Sequence, residues 1–147
     1  MIMEKLQFNI DINAPREKVW KTLFEDETYR QWTSAFSENS SAETDWKKGS
    51  KILFLDGTGQ GMVSKVAESI PNEYMSIEHL GMLKDGVEDL DSDDVKAWAG
   101  AYENYTLKGD NGKTELFIES DITEEYKEMM ANIWPKALNK LKELAEQ

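Results

Sequence analysis

The 147-residue sequence contains a single histidine, His79, in the run Met75-Ser76-Ile77-Glu78-His79. Alternate side chains of an extended strand share a face, so His79 joins Met75 and Ile77 on the apolar side. The same alternation in Glu103-Asn104-Tyr105-Thr106-Leu107 sets Glu103 beside Tyr105 and Leu107. A carboxylate and an imidazole brought together away from water form a charge-assisted pair, which orients a polar ligand or serves as an acid–base couple. The plainer alternative is that each group only satisfies a polar neighbour, and a one-residue bulge in either strand would reverse the parity. Both alternatives stay open at the level of sequence.

Other chemistries are poorly represented. Asp89, Asp91 and Asp93 have the spacing of the first ligands of a calcium loop, yet Asp94 stands where glycine is needed and Gly100 where a bidentate glutamate is needed. The stretch therefore reads as a solvated acidic loop in which Ser92 caps a short helical turn. No phosphate-binding glycine loop, nucleophile elbow or zinc-binding helix motif occurs. With no cysteine and one histidine, neither a nucleophilic triad nor a His-based metal centre is expected, and no catalytic residue, metal or cofactor is assigned.

Composition limits the partners. The chain is 39% apolar and 31% charged, which fits one folded domain over residues 1–147 rather than disorder. A net charge of -12 opposes nucleic acid and anionic membrane surfaces, both of which need a basic face. The first residues, MIMEKLQFNI, lack the pattern of a secretory leader, and no run is apolar enough to span a bilayer. A cytoplasmic location is the expectation.

The elements that must position His79 and Glu103 follow from periodicity. Leu6, Phe8, Ile10 and Ile12 alternate as a half-buried strand, which Asn13-Ala14-Pro15 stops while preparing a helix. Val19, Trp20, Leu23 and Phe24 repeat at helical spacing, with Trp20 expected in the core, and a second helical piece sets Tyr29 and Trp32 one turn apart. Residues 37–50 form a polar loop anchored by Trp46. Strands are expected around Ile52 and Phe54, over Gly61–Ser69 and over Tyr74–Leu83. A hairpin follows, Trp98–Leu107 with Lys113–Ile122, turned by Gly109-Asp110-Asn111-Gly112. From Thr123 the period becomes helical. Tyr126, Met130, Ile133, Trp134, Ala137, Leu138, Leu141 and Leu144 make one apolar stripe, and Pro135 should kink that helix or divide it, as a hinge or as a static bend. A sheet with one long amphipathic helix is an α+β two-layer design.

This order resembles the START/SRPBCC superfamily, the helix-grip fold, and within it the family related to activators of the 90-kDa heat-shock-protein ATPase. The resemblance is carried by INAPREKVWKTL at Ile12–Leu23, WKKGSKILF at Trp46–Phe54, GMVSKV at Gly61–Val66 and PNEYMSIEHLG at Pro71–Gly81. ENYTL at Glu103–Leu107, the GKTELFI strand and the final IWPKALNKLKELAE helix complete it. It implies a curved antiparallel sheet gripping the C-terminal helix around a cavity of several hundred cubic ångströms. Trp32, Phe54, Ile77, Tyr105, Met130 and Trp134 are the candidate lining residues, with His79 and Glu103 as its polar groups. Three functions are consistent with such a domain: binding of a small hydrophobic or amphipathic ligand, a chaperone-associated protein interaction, or a cyclase- or hydrolase-type reaction using His79 and Glu103.

Overall fold

Alternation in the first segment becomes the strand β1, Met3–Ile12, in which Leu6 and Ile12 are buried while Lys5, Gln7, Asn9 and Asp11 face solvent. The computed structural model describes residues 3–109 and 111–147, so Asp110 of the predicted hairpin turn lies outside the described residues. Two helices follow β1, α1 over Arg16–Phe24 and α2 over Asp26–Trp32. Pro15 occupies the N-cap of α1, where its missing N–H leaves no helical bond unmade. The indole N–H of Trp32 donates to the Leu23 carbonyl oxygen at 3.1 Å, locking α2 against the end of α1.

The remaining strands are β2, Ser41–Glu43; β3, Lys51–Leu55; β4, Gly61–Ile70; β5, Tyr74–Lys84; β6, Val87–Asp89; β7, Ala101–Lys108; and β8, Thr114–Thr123. They form one antiparallel sheet in the order β1-β8-β7-β5-β4-β3-β2, with β6 paired to β5. The helix α4, Glu124–Ala145, starts directly at the end of β8 and packs its buried residues Trp134, Ala137, Leu138, Leu141 and Leu144 on the sheet and the helical pair. A short helix, α3, covers Asp93–Lys96. Among the described residues no helix is long and apolar enough to cross a membrane. This is the α+β helix-grip arrangement.

Several boundaries differ from the sequence reading for identifiable reasons. β7 begins at Ala101 rather than Trp98, because Trp98 and Ala99 donate their N–H groups back to Val95 and continue the α3 turn. β6 was not anticipated. It takes the place beside β5 that β7 leaves free, and Gly81 permits it: a Cβ there would run into the backbone of Asp89. α4 is one element across Pro135, which is exposed. Its apolar stripe is also shorter than expected, since Tyr126 is 48% exposed. Trp20 is half-buried, its ring against Phe24, rather than inside the core.

Candidate functional site

Three adjacent strands bring the ionisable groups together. In the pairing of β5 with β7, Met75 faces Tyr105, Ile77 faces Glu103 and His79 faces Ala101, without interruption. Register shifts do occur between β4 and β5, at Val63/Ser64 and Val66/Glu68. None falls between β5 and β7, so the parity of His79 relative to Glu103 is preserved.

The result is a hydrogen-bonded chain across β4, β5 and β7. The Ser64 hydroxyl lies 2.7 Å from His79 Nδ1, and His79 Nε2 lies 3.2 Å from Glu103 Oε1. The Tyr105 hydroxyl donates to Glu103 Oε2. With Glu103 ionised and acceptor-only, the Nε2–H of His79 donates to it. Burial raises the Glu103 carboxyl, but the hydrogen bond and charge of His79, with the Tyr105 hydrogen bond, outweigh it and hold the group below its ordinary value. Burial and then the Glu103 charge push the Tyr105 phenol well up, and the Tyr29 phenol shifts likewise.

Aromatic rings surround this chain. Trp32, Tyr105 and Trp134 meet pairwise, with centroids 6.2 to 6.5 Å apart. Phe54 contacts His79 at 6.0 Å and Tyr29 at 6.4 Å. Among the expected lining residues, Trp32, Ile77, Tyr105 and Trp134 are buried, whereas Phe54 and Met130 are only partly so. The centre of the expected cavity is therefore occupied by its own wall: the three large rings close on one another.

Open space lies beside the cluster instead. A pocket of about 150 Å³ is lined by Phe24, Asp26, Tyr29, Ala42, Thr44, Asp45 and Trp46. Trp46 adopts a left-handed backbone with φ of 60°, unusual for an aromatic residue, and its N–H donates to Thr44 Oγ1 at 3.2 Å. That turn holds its indole against Phe24, Tyr29 and Phe54. A wider groove of about 480 Å³ runs over the outer face of β1, β8 and β7, around Phe117.

Ser64 and the pocket residues Asp26, Tyr29 and Asp45 were not singled out as site residues from sequence. The alternation of Ser64 with Val66 was a usable signal for the first. Nothing local foretold that the loop of Thr44–Trp46 would close on α2. The acidic loop is spent on itself: the Asp89 carboxylate accepts from the N–H groups of Asp91 and Ser92, and Ser92 caps α3 by accepting from Val95.

No curated protein matches the sequence. Among solved structures, the Aha1 dimer from Colwellia psychrerythraea is 20% identical, with a TM-score of 0.74 over 97% of this chain and 96% of that one. ChR145 from Cytophaga hutchinsonii is 21% identical, with a TM-score of 0.71 over 99% and 97%. CalU16 from Micromonospora echinospora is 14% identical, with a TM-score of 0.64 over 99% of this chain and 77% of that one. At such identities these likenesses establish the fold. The model of activator of Hsp90 ATPase homolog 1-like proteins matches residues 13–146, and the chain belongs to that family.

Proposed function

We propose that this domain binds a small amphipathic molecule between the sheet and α4, in a cytoplasmic setting. Its apolar body lies against Trp32, Phe54, Ile77, Met130 and Trp134, and its polar end meets the His79–Glu103 pair. The observation that carries this reading is an ionised carboxylate, Glu103, set among aromatic rings. Such a group adds little to packing and is costly to bury. It keeps acceptor positions beyond those that His79 and Tyr105 use, and its side chain retains 19% of its exposure. Family and fold support a binding domain in general. The rings of Trp32, Tyr105 and Trp134 must part for a ligand, and half-buried Phe54 and Met130 are the lining residues least fixed by packing.

Native mass spectrometry of protein purified from its own cells tests this. A co-purifying small molecule is expected, lost in Glu103→Gln. Recovery of the bare chain alone, with no tryptophan fluorescence change on exposure to a cell extract of small molecules, would exclude it.

A second reading, a chaperone-associated interaction module, draws on the family's description and on one feature of the surface. Tyr126 and Met129, 48% and 47% exposed near the start of α4, offer an apolar contact rimmed by acids. It predicts salt-sensitive association with a basic partner face. A cyclase- or hydrolase-type reaction has less support. Ser64 is wholly buried, and it sits on His79 Nδ1 with the carboxylate on Nε2, the reverse of the hydrolytic arrangement.

A further inference from the structure

We propose that the ligand carries a cationic amine end, and that the pocket between α2 and the Thr44–Trp46 turn receives it. This rests on the reading of the domain as a small-molecule binder and adds to that molecule a second, charged end, apart from the polar end that meets His79 and Glu103.

The pocket has the composition such an end requires. Its walls include the rings of Phe24, Tyr29 and Trp46, with Trp46 centred 4.8 Å from Phe24 and 5.8 Å from Tyr29. An ammonium group is attracted to aromatic faces by the ring quadrupole, and a tryptophan face is the strongest. Two carboxylate residues, Asp26 and Asp45, complete the lining, and the described residues that line the pocket include no lysine or arginine. Each carboxylate holds bonds already: Asp26 accepts from Arg30 Nε at 2.9 Å, and Asp45 accepts from the Lys47 N–H at 2.9 Å and from Ser50. A carboxylate has about four acceptor positions, so capacity remains at both.

The surrounding charge points the same way. Tyr29 forms a pocket wall, and after burial the Glu103 charge is a further cause that raises its phenol. An anionic ligand end would meet the carboxylates of Asp26 and Asp45. Around them the whole chain carries a net charge of -12, which concentrates cations at its clefts. A volume of about 150 Å³ accommodates a charged head and its first few carbons but not a whole drug-sized ligand. Tyr29, stacked on Phe54 at 6.4 Å, joins this pocket to the ring cluster that the apolar body would meet.

Octylamine, octanol and octanoate differ in head charge at equal chain length, and titrating each into the full chain separates the possibilities. Calorimetry gives affinity, and NMR reports on the Trp46 indole N–H. Octylamine is expected to bind at least about tenfold tighter than octanoate and to shift the Trp46 signal. The Asp26→Asn/Asp45→Asn double variant keeps an acceptor for the Lys47 N–H. It should lose about tenfold of the octylamine affinity and leave octanol binding unchanged. Octanoate binding as tightly as octylamine would overturn the charge assignment while leaving small-molecule binding intact. So would amine binding that the double variant does not weaken, since that is adsorption elsewhere on an acidic protein. Failure of all three probes to move any signal of the ring cluster would overturn both readings.

Discussion

Glu103 concentrates the energetics of the site at a single residue. Its folded carboxyl lies below its ordinary value, so its stabilisation is fully present above the unfolded carboxyl value of about 4.3 and is lost as pH falls through the lower folded value. Glu103→Gln should cost about 2 kcal/mol at neutral pH, because His79 loses a charged acceptor. The variant should also flatten the acid limb: urea melts between pH 7 and pH 3 should converge for the two proteins as the carboxyl protonates. Thr123 gives the opposite expectation. Its hydroxyl is buried and has no hydrogen-bond partner among the described residues. Thr123→Val should therefore raise stability by about 1 kcal/mol in the same assay, since it removes an unsatisfied polar atom of similar size.

Among the elements, α4 decides most. Sequence periodicity located it, its start at Thr123 and its buried half, because a 3.6-residue repeat of Trp134, Ala137, Leu138, Leu141 and Leu144 has one structural solution. Pro135 was expected to kink α4 or divide it, and the helix is not divided: it runs through Pro135 as one element. Pro135 is exposed, so Pro135→Ala should restore a backbone bond to the Ala131 carbonyl and raise stability by about 1 kcal/mol or more. A loss of stability in thermal melts would mean instead that Pro135 sets the course α4 takes across the sheet. Short elements were less legible. β2 and β6 each span three residues, too few for an alternation to register, and both exist because a longer neighbour has an unpaired edge.

For the whole molecule, charge is the dominant collective property. At -12 the chain repels itself in low salt, so raising ionic strength to about 0.5 M should increase the midpoint of thermal unfolding by a few degrees. A midpoint that falls with salt would mean that the eleven lysine and arginine ion pairs among the described residues, mostly exposed, outweigh that repulsion. The sequence by itself determined the order of the major elements, the faces of β1, β5 and β7 and the antiparallel two-layer class. These follow from local periodicity and turn chemistry, which a chain carries at every point. It also placed His79 and Glu103 on inner faces. Only the tertiary structure decided that they pair, since that depends on the register of β5 against β7, set by contacts some two dozen residues apart. It alone revealed that Ser64 and Tyr105 extend the pair, that Trp32, Tyr105 and Trp134 fill the centre, and that Trp46 closes a pocket with Asp26 and Asp45. Whether rings line a space or occupy it depends on how sheet and helix settle together, and no spacing along the chain encodes that distance.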